Sequence, residues 1–258
     1  MIWQDDPSKD YRKRYQLPEH WLLDDDSPLA LDYVGYVDAA ISLISPAASG
    51  AKTRTPIALD AGCGDGYLSK QLVGRGYEVV GVDYSPRAVA FARIFVEGAT
   101  FNCLDLRELK QHPEFEKRFD CVVAIEVIEH IPMEYQLQVC QNLAWALTDS
   151  GQLVISVPSI HLRPSKMHYK HFRHEEICDL LRQAGLSPER TIYQRRIAWV
   201  CSRPLWKLCR NRFYDLVIVR RALKWLFLKR YNIGQNGDKV GRYIIACRKT
   251  RPAGTGMG

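Results

Sequence analysis

The chain has 258 residues, of which 47% are hydrophobic, and it carries a formal net charge of +7. This length suits one sizeable hydrophobic core, so we expect a single domain with appendages. No run of 18 apolar residues occurs, which argues against a membrane-spanning helix, and the first residues lack the basic-then-apolar order of a secretion signal. The eight cysteines include no CxxC pair and favour buried free thiols, so we expect a cytoplasmic protein.

Residues 1–50 are predicted to form an N-terminal helical cap. The residues before Ser27 are polar and acidic, and Ser27 followed by Pro28 is typical of a helix start, with serine as the N-cap. Apolar residues then recur at helical spacing as far as Ile44, and Pro46 ends the pattern. This helix either covers a ligand site or only packs on the core, and the sequence favours neither interpretation.

The most informative stretch of the chain is a strand that turns on glycines into a helix. A short apolar run ending in Asp60 predicts a buried strand, and the residues after position 66 have helical spacing. Such a turn brings a ligand against bare backbone. The dinucleotide fingerprint needs a glycine where Tyr67 stands, and Asp60 would repel a pyrophosphate, so the loop favours a cationic, amine-bearing ligand. The three glycines stand at every second position, as Gly62, Gly64 and Gly66.

This Asp-x-Gly-x-Gly-x-Gly order resembles the first motif of the class I S-adenosylmethionine-dependent methyltransferases. The likeness covers residues 55–160 and extends to the type 11 and type 12 methyltransferase domains and to the O-methyltransferases of ubiquinone synthesis. It implies S-adenosylmethionine as the cofactor, with its methionine part and ribose at the glycine loop. The implied cofactor contacts are Asp60, Ala61, Gly62, Gly64, Gly66, Asp83, Tyr84, Asp105, Leu106 and Glu126.

Two further acids end the next two predicted strands. Asp83 closes a strand over 77–83, about 20 residues after the first loop glycine, where an acid can accept both ribose hydroxyls of a nucleoside-bearing ligand. Asp105 follows the third strand, and the resemblance implies that it hydrogen-bonds the adenine amino group. Its neighbours Leu104 and Leu106 would then supply apolar walls for the adenine ring.

Strands and amphipathic helices continue to alternate, which is typical of a parallel sheet covered on both faces. A fourth strand is predicted over 119–125, a fifth over 152–158, and a last pair over 190–200 and 241–248. We therefore predict an α/β, Rossmann-like class I methyltransferase fold, with a mostly parallel seven-stranded sheet whose last hairpin is antiparallel. The predicted divisions are an N-terminal cap 1–50, a methyltransferase core 51–200, a basic amphipathic helical insertion 201–240, and a last strand with a flexible tail 241–258.

Histidines follow the fourth and fifth strands, near the expected mouth of the substrate site. If the acceptor is a hydroxyl group, a base must take its proton, and histidine suits this role near neutral pH. Each of these histidines has a plainer interpretation as an anchor of its loop. The candidate catalytic residues are His130, His168 and His171.

The run Glu126-x-x-Glu129-His130 offers a second interpretation, because two carboxylates and an imidazole on one face of a turn can bind a divalent metal with a later histidine. It looks like the corresponding run of two metal-assisted families, the small-RNA 3′-terminal 2′-O-methyltransferases and the polyprenyl-dihydroxybenzoate O-methyltransferases of ubiquinone synthesis. Metal-free relatives share it too, and we prefer a site without metal. The candidate ligands are Glu126, Glu129, His130 and His168.

The basic charge belongs to one segment. Between Arg203 and Tyr231 lie nine basic residues and one acidic residue, and the apolar residues there have helical spacing. We favour a lid that packs on the core with a solvated basic face. A peripheral membrane contact through 203–231, with Trp206, Trp225 and Phe227 as anchors, is the second interpretation, and nucleic acid is the least favoured partner.

We therefore predict a S-adenosylmethionine-dependent methyltransferase that acts on an oxygen atom of a small-molecule, lipid-linked or glycan-linked acceptor. One alternative is a metal-dependent RNA 2′-O-methyltransferase, which a salt-sensitive affinity for RNA would favour. The other is a non-catalytic protein of the cofactor-binding fold at a membrane or partner surface, which cofactor binding without turnover would favour.

Overall fold

The fold is one seven-stranded sheet with helices on both faces. The computed structural model describes residues 16–21, 28–44, 54–195, 216–219, 221–222, 225 and 240–250. The strands are β1 Ile57–Ala61, β2 Glu78–Asp83, β3 Ala99–Cys103, β4 Phe119–Ile125, β5 Leu147–Pro158, β6 Leu186–Arg195 and β7 Val240–Lys249. The helices are α1 Pro28–Leu43, α2 Tyr67–Val73, α3 Pro86–Phe95, α4 Met133–Ala146 and α5 His174–Gln183.

The strand order is β3-β2-β1-β4-β5-β7-β6. Strands β1 to β5 pair in parallel, whereas β7 is antiparallel to both β5 and β6. The predicted Rossmann-like sheet with an antiparallel last hairpin is therefore confirmed.

Alternating side chains of β4 show why the sheet is covered on both faces. Val122 and Ala124 belong to the core shared with α4 and α5, whereas Cys121 and Val123 belong to the core shared with α1 and α2. Successive residues of a strand point to opposite faces, so a strand buried on both sides must be apolar throughout. This accounts for the apolar run over 121–125 from which β4 was predicted.

Several predicted boundaries shift for local reasons. Strand β5 begins at Leu147, not at residue 152, because Leu147 pairs with Phe119 beyond a register shift. Strand β3 ends at Cys103 because Asp105 caps a short 3₁₀ helix, Leu106–Gln111. Strand β6 begins at Leu186, and the predicted residues 196–200 lie outside the described residues.

The ends of the chain are described only in part. Helix α1 begins at Pro28 as predicted, although its expected cap Ser27 is outside the described residues. Within the predicted insertion 201–240, residues 217–219, 221–222 and 225 are helical and exposed. None of the helices in the described ranges is long and apolar enough to cross a membrane.

Candidate functional site

A cavity of about 290 Å³ lies at the carboxyl ends of β1, β2 and β4, where parallel α/β sheets bind their ligands. Helix α1 contributes Tyr33, Tyr36 and Val37 to its wall and also packs on the core. The N-terminal helix therefore both forms part of the cavity wall and packs on the core. The predicted cofactor contacts that line the cavity are Asp60, Gly62, Gly64, Asp83, Tyr84, Asp105, Leu106 and Glu126.

The glycine loop is held to the end of β2 by its backbone. The amides of Gly62 and Cys63 both donate to the carbonyl of Val82, at 2.8 and 3.0 Å. Gly62 and Gly64 have φ angles of +78° and +55°, and a Cβ atom on Gly62 would lie 2.6 Å from Val127 Cγ2. Position 62 therefore requires glycine for both its conformation and its space, and the loop presents bare backbone to the cavity.

Two predicted cofactor contacts face the interior of the protein instead. A Cβ atom on Gly66 would lie 2.8 Å from Val96 Cγ2 and 3.0 Å from Ala92 Cβ, so this glycine lets α2 approach α3. Ala61 is fully buried. Neither residue lines the cavity, and their contact with the cofactor stays a prediction.

Two buried aspartates flank the loop. Asp83 accepts hydrogen bonds from the amides of Gly64 (3.0 Å) and Ser85 (2.9 Å), and Asp60 accepts one from the hydroxyl of Ser69 (2.6 Å). Burial raises the pKa of Asp83 to about 6 and the pKa of Asp60 to about 7, because desolvation disfavours the charged carboxylate. A cationic ligand beside them would offset this cost.

The carboxylate of Asp105 already has a strong partner. It accepts hydrogen bonds from Arg107 Nε at 3.0 Å and Nη2 at 2.6 Å, and this ion pair is mostly buried. Asp105 lines the cavity beside Leu104 and Leu106, as the adenine assignment requires. A contact from Asp105 to an adenine amino group would have to share its oxygens with Arg107.

Glu126 adopts a strained conformation where β4 ends. Its φ of +55° lies in the left-handed region, which non-glycine residues occupy mainly when their surroundings hold them there. The Ser156 hydroxyl binds both its backbone amide (3.0 Å) and its Oε1 (2.8 Å), and Arg242 Nε donates to its Oε2 (2.8 Å). The side chain of Glu126 is thus held by β5 and β7.

Arg242 connects this strained residue to α1. Its Nη1 donates to Asp32 Oδ2 at 2.8 Å, and its guanidinium lies 4.5 Å from the ring centre of Tyr36. Burial alone would lower the pKa of Arg242, but the Glu126 and Asp32 carboxylates raise it above its usual value. Sequence reasoning missed this residue, whose signal is a charged side chain directly before the apolar run 243–247 of strand β7.

Three of the four candidate metal ligands lie together. Potential ligand atoms of Glu129, His130 and His168 are all within 4.8 Å of one another. Glu129 is fully buried, and neither of its carboxylate oxygens has a hydrogen-bond partner among the described residues. Burial, with a further contribution from the nearby Glu126 charge, raises the pKa of Glu129 well above its usual value. The carboxyl group therefore favours either a bound proton or a cation close by.

The predicted catalytic histidines differ in position. His130 Nδ1 donates to the carbonyl of Met167 (3.0 Å), which leaves the lone pair on Nε2. His168 lines the cavity, and its Nδ1 shares a 2.8 Å hydrogen bond with Nε2 of His171. His171 does not line the cavity, so it can act only through His168. Glu126 is absent from the Glu129 cluster because Ser156 and Arg242 hold its carboxylate.

The N-terminal segment supplies a residue that sequence reasoning missed. His20 lines the cavity, and its Nδ1 and backbone amide bind the buried carboxylate of Asp65 at 2.8 and 2.9 Å. These residues lie 45 positions apart in the sequence, so no local pattern joins them.

The wall of the cavity is acidic. Among the described residues, five carboxyl groups line it against two guanidinium groups, and each guanidinium is paired with a carboxylate. Such a wall suits a ligand that carries positive charge. The carboxyl groups are those of Asp60, Asp83, Asp105, Glu126 and Glu129.

Comparison with known sequences finds a family and relatives. Residues 33–191 match the model of a methyltransferase domain. The chain is 32% identical over 152 residues to a ubiquinone biosynthesis O-methyltransferase of Cereibacter sphaeroides, covering 50% of this chain and 60% of that protein. It is 28% identical over 186 residues to the protein of the same name from Marinobacter nauticus, covering 64% and 72%. The match thus spans about 60% of the length of the Cereibacter relative.

Comparison with solved structures finds the same fold. A 1,6-didemethyltoxoflavin-N1-methyltransferase of Burkholderia thailandensis, solved with S-adenosylhomocysteine, superposes with a TM-score of 0.58 at 18% identity, covering 97% of this chain and 94% of that one. A magnesium protoporphyrin IX methyltransferase of Synechocystis, also with S-adenosylhomocysteine, gives 0.57 at 20% identity, covering 93% and 97%. At these identities the likeness concerns the fold.

Proposed function

Because the chain belongs to the family of methyltransferase domains, we propose that it transfers a methyl group from S-adenosylmethionine to an oxygen atom of a small or lipid-linked acceptor. The family confirms the resemblance drawn from the sequence. The observation that carries the proposal is the cavity at the carboxyl ends of β1, β2 and β4, where a bare glycine loop meets an acidic wall. The names of the relatives support oxygen as the acceptor atom.

The residues of the cavity fit this cofactor. The glycine loop presents Gly62 and Gly64 to the cavity, Asp83 offers carboxylate oxygens to ribose hydroxyls, and Leu104 with Leu106 provides apolar contact for adenine. When bound, S-adenosylmethionine supplies a methyl group activated by its sulfonium. The protein's contribution is to hold the reactants in line and to exclude water, for which α1 forms part of the wall.

The acceptor hydroxyl must lose a proton, and His130 is the residue we assign to that step. Its Nδ1–H is bound to the carbonyl of Met167, which is the tautomer in which Nε2 is the basic nitrogen of the ring. His130 also lines the cavity beside Glu129, so the proton can be taken inside the site.

The unpartnered Glu129 carboxylate favours a second candidate, a metal-assisted form of the same reaction. Glu129, His130 and His168 offer oxygen and nitrogen ligands that fit a divalent cation of the manganese-to-zinc type. Such an ion would supply Lewis acidity to ionise an acceptor hydroxyl. Among the described residues, no observation favours RNA over a small molecule as the acceptor.

The test is a methyl-transfer assay with labelled S-adenosylmethionine and a prenylated catechol in detergent micelles. We expect methylated product from the wild type and a loss of product in His130→Ala. After chelation, restoration of activity by magnesium, manganese or zinc in the wild type but not in Glu129→Gln would establish the metal-assisted form. Cofactor binding without transfer to any phenol would support the non-catalytic alternative.

We also propose that the basic segment contacts an anionic membrane surface, which would bring a lipid-linked acceptor to the cavity. In its described part, Leu216, Val217 and Val219 are exposed, as are Ile218 (85%) and Trp225 (59%). The surrounding basic residues complement anionic lipid. Sedimentation with phosphatidylglycerol vesicles should exceed that with phosphatidylcholine vesicles and should fall in Ile218→Asp, and equal sedimentation with both would contradict the contact.

A further inference from the structure

The N-terminal segment 16–21 is fastened to the glycine loop. Asp65 is fully buried, and its carboxylate accepts both Nδ1 and the backbone amide of His20. Trp21 Nε1 donates to the carbonyl of Asp65 at 2.9 Å, and the indole stacks on Phe95 with centres 5.0 Å apart. Lys70 lies 4.7 Å from the centre of the same indole. The segment is thus held by the loop, by α2 and by α3.

These contacts place the His20 ring in the cavity wall. The ring stacks on Tyr33 of α1 with centres 4.2 Å apart, and both residues line the cavity with Asp60. Asp65 occupies Nδ1, and none of the described residues hydrogen-bonds Nε2. His20 Nε2 is therefore the ring nitrogen that a ligand can reach.

The order of adenine, ribose and amino-acid group along the cofactor indicates which of these groups lies near His20 Nε2. With ribose at Asp83 and adenine at Leu104 and Leu106, the cavity wall that is left for the rest of the cofactor includes Asp60 and the stacked rings of His20 and Tyr33. In the proposed arrangement the amino-acid group lies there, with its ammonium group at Asp60. Its carboxylate needs a donor, and the guanidinium groups of Arg107 and Arg242 are already paired with carboxylates.

We propose that His20, oriented by Asp65, binds the carboxylate of the cofactor's amino-acid group. The inference rests on the proposed function. In the proposed complex Nδ1–H is donated to Asp65 and Nε2–H to the ligand carboxylate, an arrangement that uses the imidazolium form of the ring. His20 is then a cofactor-binding residue, and Asp65 is a positioning residue that acts through it.

The affinities for two ligands distinguish this binding role of His20 from a purely structural role. S-adenosylhomocysteine has the amino-acid group, whereas 5′-methylthioadenosine keeps the nucleoside and the thioether without it. Calorimetric titration of His20→Ala should show affinity for S-adenosylhomocysteine about 10- to 100-fold below that of the wild type, because a charge-assisted hydrogen bond is lost. Affinity for 5′-methylthioadenosine should stay within about twofold.

Asp65→Asn should lower the affinity for S-adenosylhomocysteine more than the affinity for 5′-methylthioadenosine, as His20→Ala does. His112→Ala is the matched control, since His112 is exposed and lies outside the cavity wall, and neither affinity should change. If His20→Ala lowers the melting temperature, the two affinities are compared in His20→Gln instead, because the glutamine amide keeps a hydrogen-bond donor but carries no charge.

An equal loss for both ligands in His20→Ala would overturn the inference and leave His20 as a brace of the loop. Unchanged affinity for S-adenosylhomocysteine together with lower turnover would also overturn it, in favour of a catalytic base. Failure of the wild type to bind either ligand would overturn the proposed function as well, which distinguishes the two failures.

Discussion

The two ends of the cavity differ in how their carboxyl groups are satisfied. At the glycine-loop end, Asp60, Asp65 and Asp83 each accept at least one hydrogen bond of 3.0 Å or less. At the end that follows β4, Glu129 is buried with no hydrogen-bond partner for either carboxylate oxygen in the described part of the chain. The first end is complete in itself, whereas the second requires a proton, a cation or an acceptor.

We infer from this difference that the glycine-loop end binds the cofactor and that the end beyond β4 serves methyl transfer. A preorganised end can hold a cofactor at little cost in rearrangement, while an unsatisfied buried group and the strained Glu126 are features that cluster at reactive sites. Substitutions at the glycine-loop end should therefore change cofactor affinity. Substitutions beyond β4 should change turnover.

The largest effect is expected at the incomplete end. His130→Ala removes the proposed base, and we expect kcat to fall by about 10²- to 10⁴-fold while the affinity for S-adenosylhomocysteine stays within about twofold. Steady-state kinetics and calorimetry on one preparation check both halves. A parallel loss of affinity would show that the two ends are not separate.

Next in size is the aspartate at the end of β2. Asp83→Asn keeps the shape but offers one carbonyl oxygen where two oxygens now bind the amides of Gly64 and Ser85, so cofactor affinity should fall about 10- to 100-fold. Asp120→Asn is the control, because Asp120 accepts a hydrogen bond from the amide of Ile57 at the amino ends of β1 and β4, opposite to the cavity. Equal affinities in the two variants, measured by calorimetry, would contradict the ribose assignment.

Two glycines of similar backbone conformation sharpen the role of the loop. Gly62 and Gly76 have φ angles of +78° and +83°, but a Cβ atom at Gly76 meets nothing within 4 Å. Alanine at either position should cost about 1 kcal/mol of unfolding free energy. Gly62→Ala should cost about 1–3 kcal/mol more because of Val127, and it should weaken cofactor binding about tenfold. Urea denaturation and calorimetry of the pair test this, and identical behaviour would show that the space at Gly62 is unimportant.

The smallest effect is a pH dependence of the glycine-loop end. Because the pKa of Asp83 is about 6 and that of Asp60 about 7, both carboxylates take up a proton as the pH falls from 7 to 5. Cofactor affinity should then fall about three- to tenfold, since protonated Asp83 is a weaker acceptor for ribose hydroxyls. Calorimetry across this range measures it, and Asp83→Asn, which keeps only the contribution of Asp60, should show a smaller change.

The stability of the free protein should change in the opposite direction. Both folded-state pKa values lie above the unfolded value of about 3.9, so the folded state binds these protons more tightly. These two groups therefore add to the free energy of unfolding as the pH falls from 7 towards 4. Stability of the wild type that falls more steeply than that of Asp83→Asn would contradict the sign.

The sequence was sufficient where function depends on neighbours in the chain. Strand β4 spans Phe119–Ile125 as predicted and Asp83 lies at the loop, because periodicity and spacing are local signals. The pattern of alternating glycines does not say which one lines the cavity and which one faces α3, as Gly66 does.

The contacts that the sequence could not predict join distant positions. Arg242 reaches Glu126 across 116 residues, and His20 reaches Asp65 across 45. Their partners follow from the order β4-β5-β7 and from the path of the N-terminal segment. The same reason explains why Glu126 lies outside the cluster formed by the other candidate metal ligands. Arg242 and Ser156 bind its carboxylate.

The most direct test of the account is a calorimetric titration of the chelated wild-type protein with S-adenosylhomocysteine. The complete glycine-loop end predicts one binding site with a dissociation constant of about 1–100 µM that added magnesium, manganese or zinc leaves unchanged. Absence of saturable binding would contradict the assignment of the cavity to the cofactor. Binding that appears only with metal would contradict the separation of its two ends.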